Sequence, residues 1–156
     1  MTFFAGQRVS ASQLNPVTFS GYQIATQSVP NNAWTGATFD GEYEDSHGGH
    51  STVTLNGTYT IPVTGFYDLA AGSSFVPNVT GLRGVKILKS GVIINRATCY
   101  AATGPSAGAT PFVAVKENCV AGDTITVQIY QVSGGALSTL ANGEATCHLE
   151  ISLIRR

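Results

Sequence analysis

The sequence predicts an all-β domain built as an antiparallel sandwich or barrel, and three observations carry that expectation. Between Ala145 and Ile154, residues Cys147, Leu149, Ile151 and Leu153 alternate with Thr146, His148, Glu150 and Ser152, the period of a strand with one face in a core. Turn signals fall at a regular cadence between short runs rich in Thr, Val, Ile and Tyr: Asn56-Gly57, Val63-Thr64-Gly65, Ser90-Gly91, Gly104-Pro105, Ala121-Gly122-Asp123, Gly134-Gly135 and Asn142-Gly143. No window carries a capped stripe of 3.6-residue period long enough for a packed helix.

Taken in order, residues 1–15 show neither strict alternation nor a helical stripe and read as an arm ahead of a domain at 16–156. Phe3, Phe4, Val9 and Leu14 would be costly to leave in water, so the arm is expected to dock on its own domain, a sister subunit or a larger assembly. Alternation at Val53/Leu55 and at Tyr59/Ile61 predicts strands on either side of Asn56-Gly57. Tyr67, Leu69 and Ala71 alternate on the strand that follows, and Ile125, Val127 and Ile129 alternate with Thr124, Thr126 and Gln128. Tyr130 and Val132 then fall off the core-facing set.

Charged residues make up 11% of the chain and apolar ones 43%, against about 25% charged in an average soluble protein. The surface is therefore polar rather than ionic, and part of the apolar excess is expected between subunits. A net charge of −1 and scattered Lys and Arg remove the basis for nonspecific nucleic-acid or anionic-membrane binding. Nothing approaches the ~20 apolar residues of a membrane span, and the start lacks the charged and apolar regions of a signal peptide. Cys99, Cys119 and Cys147 are odd in number and widely spaced, so they are expected as reduced thiols buried on strands.

Several segments, in this order, resemble the C1q/tumour-necrosis-factor-like jelly roll over roughly Val17 to Leu153. Trp34-Thr35-Gly36-Ala37-Thr38-Phe39-Asp40 and Asp45-Ser46-His47-Gly48-Gly49-His50 look like the first strand and loop of phage and bacterial C1q-like domains. Asn56-Gly57 through Ile61-Pro62-Val63-Thr64-Gly65-Phe66-Tyr67 is similar to the family's Pro-x-x-Gly turn and Tyr-bearing central strand. Gly81-Leu82-Arg83, Leu88-Lys89-Ser90-Gly91 and Ala121-Gly122-Asp123 through Tyr130 follow in family order. The final strand lacks the aromatic residues of eukaryotic members and no collagen-like stalk precedes the domain, so complement or hormone activity does not carry over. The resemblance implies a homotrimer used for recognition, with Tyr67, Leu69, Arg83, Tyr130 and Val132 as candidates for the subunit interface. For Tyr67 an alternative use is to fill the second half of the sandwich core, and for Arg83 an ion pair or backbone contact near a subunit boundary. The wording of the arm, Ala5-Gly6-Gln7-Arg8-Val9, is similar to small virion proteins of phages that infect actinobacteria, which makes Phe3, Phe4, Val9 and Leu14 candidate virion anchors.

Asp40, Glu42, Glu44, Asp45, His47 and His50 form the one dense cluster of ionisable groups, in a Gly-rich segment expected to be a loop. Asp45, His47 and His50 could hold a structural divalent cation, although neither EF-hand nor three-ligand zinc spacing is present. The alternative is that Asp40 or Asp45 accepts hydrogen bonds from loop amides. Two of these carboxylates could also serve a glycan depolymerase, whose mechanism needs carboxyl groups about 5–9 Å apart. No nucleophile motif accompanies them, and His148 adjoins Cys147 on a strand, where neighbours face opposite ways. The expected function is that of a non-enzymatic virion component without a cofactor, on tail, fibre or capsid surface. Its partners would be its own copies, other virion proteins and host-envelope glycans met through loops 41–50, 76–81 and 103–110. A capsid decoration protein is the alternative.

Overall fold

The computed structural model describes residues 16–103, 109–141 and 145–156. The arm, its four apolar anchors and the turn signals Gly104-Pro105 and Asn142-Gly143 lie outside them. The described residues fold into twelve strands: β1 Thr18–Tyr22, β2 Ser28–Val29, β3 Thr35–Gly36, β4 Gly41–Asp45, β5 Thr58–Thr60, β6 Gly65–Gly72, β7 Leu82–Lys89, β8 Val92–Ala102, β9 Phe112–Cys119, β10 Thr124–Gln131, β11 Leu137–Ser138 and β12 His148–Arg155. Sheet one has the order β4-β1-β12-β6-β9. Sheet two has β3-β10-β7-β8, with β5 also on β10, and β11 pairs with β2 alone. Every pairing is antiparallel, and the chain passes repeatedly between the two sheets, as from β5 to β6, β6 to β7, β8 to β9 and β9 to β10, in the manner of a jelly roll.

Alternation decides what lies between the layers. Phe19, Tyr67, Leu69, Ala71, Leu149 and Ile151 of sheet one meet Tyr59, Val85, Ile87, Ile125, Val127 and Ile129 of sheet two, and all are buried. Each large side chain so buried contributes about 2 kcal/mol relative to exposure. Tyr67 keeps its hydroxyl satisfied by donating to the Val63 carbonyl at 2.6 Å, which allows a polar tip inside an apolar layer.

Three expectations change here. Val53 and Leu55 do not form a strand: the Ser51 hydroxyl accepts from the Val53 and Thr54 amides, curling the segment so that both apolar side chains are 84% exposed. The acidic segment is only partly a loop, because Gly41–Asp45 is β4, laid against β1. Tyr67 and Leu69 have no surface to offer a neighbouring subunit, since β6 turns them into the core and turns Phe66, Asp68 and Ala70 outward.

The register also gives the sandwich two distinct ends. Thr18, where the chain enters β1, lies beside Ser152, and Gly65, Cys119, Thr124 and Lys89 share that end. Tyr22, His148, Gly72, Phe112, Gln131 and Ala102 share the other. Residues 46–50 sit at the first end, where the Ser46 hydroxyl binds the Pro16 and Thr18 main chain. Loop 76–81 sits at the second, with Gly81 accepting from the Thr103 amide. The three loops expected to face a host together therefore do not share an end.

Candidate functional site

The acidic and His-bearing segment is occupied by its own backbone. Asp45 accepts from the His50 amide at 2.9 Å and the His47 amide at 3.3 Å, and Asp40 accepts from the Ile24 and Ala25 amides at 2.6 and 2.9 Å. Both ring nitrogens of His50 are engaged, Nδ1 with Glu42 and Nε2 with the Asn56 carbonyl, each at 3.1 Å. His47 turns its Nδ1 to Ser46 at 2.8 Å. The candidate metal set Asp45, His47 and His50 thus does not converge, and among the described residues no three His, Cys, Asp or Glu side chains do. Glu44 takes the Thr18 hydroxyl, so the four carboxylates face hydrogen-bond donors of the fold rather than a shared cleft.

Arg83 is wholly buried, and among the described residues its guanidinium makes no ion pair. Nη1 donates to the carbonyls of Thr80, Leu82 and Val132, and Nη2 to that of Asn78. It holds the 78–82 loop onto the sandwich, and an interface role is excluded by its burial. Its desolvation lowers the guanidinium pKa without removing the charge. Cys119 and Cys147 are buried as expected, and burial pushes both thiols up to about 11. Cys99 is only half-buried, which the wide spacing did not reveal.

Two outward faces remain for recognition. On sheet one, cross-strand rows place Tyr22, His148, Gly72 and Phe112 side by side, and Ser20, Glu150, Ala70 and Ala114 next to them. Tyr43 stacks on Tyr22 at 4.5 Å and Phe112 on His148 at 6.0 Å. Gly72 is needed beneath, since a Cβ there would stand 2.4 Å from the His148 ring. The face forms a groove of about 460 Å³, and it leaves Tyr43 78% and Phe112 54% exposed. Cys147 and His148 do face opposite ways, one into the core and one into this groove. On sheet two, Tyr130 lies outward as alternation requires and joins Trp34 and Tyr100; Val132 is half-buried just past its strand.

No protein-family model matches the sequence, and no curated protein matches it. Solved structures do match in three dimensions. The globular domain of zebrafish complement 1qA superposes with a TM-score of 0.65 at 14% identity, covering 90% of this chain and 98% of that one. The chain has the C1q/tumour-necrosis-factor-like jelly-roll fold. Murine APRIL gives a TM-score of 0.67 at 16% identity over 88% of this chain and 99% of that one. Eiger TNF from S. frugiperda gives 0.63 at 15% identity over 91% and 95%. At these identities the likeness concerns the jelly roll itself. Phe66, Phe112, Tyr43, Trp34 and Tyr100 were not singled out from sequence as surface groups; isolated aromatics on short strands carry no sign of which face they take until the strands are paired.

Proposed function

We propose that this chain is a non-enzymatic binding protein of a bacteriophage particle, assembled as a homotrimer and carried on the tail, a fibre or the capsid surface, where it contacts the host envelope. The observation that carries the assembly is the outward face of sheet one. Tyr43 and Phe112, beside Ala70 and Ala114, form a surface whose aromatic rings one subunit leaves in water, and closed symmetry among identical copies covers such a face. The resemblance to C1q-like domains supports three copies. The interface role expected of Tyr130 moves with this reading to sheet one.

Attachment to the particle falls to the arm, whose wording resembles virion proteins and whose Phe3, Phe4, Val9 and Leu14 suit an apolar groove on another virion protein. Because residue 16 leaves the domain at one end while loop 76–81 and residue 103 lie at the other, an anchored trimer presents its far end outward. Light scattering is expected to give about three times the 16.2 kDa chain mass, and Phe112→Asp is expected to yield folded monomer. A stable monomer of the unsubstituted chain overturns the assembly. Deleting residues 2–14 should leave a trimer that no longer joins particles. If the full chain saturates capsids and binds no cells, the capsid-decoration reading replaces host contact. Release of reducing sugar from host envelope would instead favour a depolymerase, which the engaged carboxylates at Asp40, Glu42, Glu44 and Asp45 argue against.

A further inference from the structure

Sheet two carries a second aromatic face, separated by the whole sandwich from the proposed subunit contact. Trp34, Tyr100 and Tyr130 come from three parts of the chain and meet on its outward side. Their ring centroids lie 5.1 Å (Trp34 to Tyr130), 5.8 Å (Trp34 to Tyr100) and 6.1 Å (Tyr100 to Tyr130) apart. Gly84 lies beneath them, and a Cβ there would come within 3.0 Å of Tyr100 and 3.1 Å of Trp34, so the rings settle onto bare backbone. Tyr100 is 55% exposed, and nothing in the subunit's core uses it.

The charge on this face is the second observation. Lys86 follows Gly84 on the same side of β7, flanked in register by Gln128 and Thr98. Its Nζ stands 4.1 Å from the centroid of Trp34. Among the described residues this nearly buried ammonium has no carboxylate partner, unlike Lys89 with Glu117 and Lys116 with Asp68. Burial among the rings disfavours its charge, which an incoming anion would relieve.

We infer that Trp34, Tyr100, Tyr130 and Lys86 form a binding site for an acidic polysaccharide, with a sugar ring packed on the exposed Tyr100 ring, which the tilted Trp34 and Tyr130 rings hold in place, and a uronic-acid carboxylate turned to Lys86. A pyranose offers one face of C–H groups that packs on aromatic rings, while its rim of hydroxyls needs hydrogen-bonding groups at the edge. Gln128 and Thr98 supply these next to Lys86, and Asn32, bonded to the Tyr130 hydroxyl, does so at the opposite side. A single unpaired cation matches one carboxylate, and a neutral sugar would leave it uncompensated. The platform lies toward the far end of the sandwich from residue 16. The inference rests on the binding-module reading and names the ligand class for it.

Trp34 is the only tryptophan of the chain, so its emission reports on this face directly. The full chain is titrated with tetragalacturonate, with maltotetraose and glycerol phosphate as controls. A saturable change in Trp34 emission is expected with tetragalacturonate, none with maltotetraose, and at least tenfold weaker binding with glycerol phosphate. Tyr100→Ala and Lys86→Met are each expected to weaken tetragalacturonate binding tenfold or more, with the trimer mass unchanged. Tyr100→Ala alters an exposed ring and guards against loss of folding. No emission change with tetragalacturonate, equal response to maltotetraose, or undiminished binding by both variants overturns the proposal. These outcomes are separate from those of light scattering and particle binding, which test the assembly and leave the platform's ligand to this titration.

Discussion

The guanidinium of Arg83 lies 5.7 Å from the centroid of the Phe75 ring, so the largest wholly buried side chain of the domain is a cation packed against an aromatic face. No acid among the described residues balances it. Four main-chain carbonyls do, from Asn78, Thr80, Leu82 and Val132. Arg83→Met should therefore leave several buried acceptors without donors and cost about 2–4 kcal/mol in urea unfolding. Arg83→Lys, which keeps the charge but lacks the planar fork, should cost roughly 1–2 kcal/mol. Losses below about 0.5 kcal/mol for both would mean the loop is held by other contacts.

Thiol labelling should divide the cysteines in two classes. Cys99, half-buried on β8, is expected to react in the folded protein near pH 8, whereas Cys119 and Cys147 should wait for denaturant. Mass spectrometry after brief labelling would show one modified thiol per chain. Three would contradict the burial of the inward faces of β9 and of the segment leading into β12.

Stability should fall in alkali for the same reason. Both buried thiols are raised from an ordinary value of 9.0 to about 11, so between those pH values the unfolded chain releases protons that the folded chain keeps. Stability is full below about pH 9 and declines as pH rises toward 11. Burial raises Tyr59 and Tyr67 as well and continues the decline above their ordinary value of 10.0. A Cys119→Ala, Cys147→Ala double variant should show a shallower loss between pH 9 and 10 in thermal melts.

Asp45→Ala should destabilise by about 1 kcal/mol, because the His47 and His50 amides lose their acceptor. Adding EDTA should leave the melting temperature of the unsubstituted protein unchanged. A chelator-sensitive drop restored by Ca²⁺ or Zn²⁺ would instead assign Asp45 to a bound ion.

Period-two alternation made the core strands legible, as at Ile125, Val127 and Ile129 and at Cys147, Leu149 and Ile151, because one-sided burial writes itself into neighbouring residues. It also set Tyr67, Leu69 and Ala71 on one face, but whether that face fills the core or meets another subunit has no local sign, and only the pairing of β6 with β9 and β12 turns it into the sandwich. Val53 and Leu55 alternated without a strand because local hydrogen bonds to Ser51 competed successfully for their backbone. The carbonyls around Arg83 come from residues 78–82 and from Val132, beyond the neighbouring strand, and Trp34, Tyr100 and Tyr130 converge through β3-β10-β7-β8. Such nonlocal groupings have no local signature.

The antiparallel contact between β1 and β12 brings residues 16 and 156 out of the same end of one layer. Residues 16 and 156 could therefore be joined within one domain by a short linker. A circular permutant reopened at Gly134-Gly135, an exposed turn at the opposite end, should keep the sandwich intact. Such a permutant would reverse which pole is tethered and which is displayed.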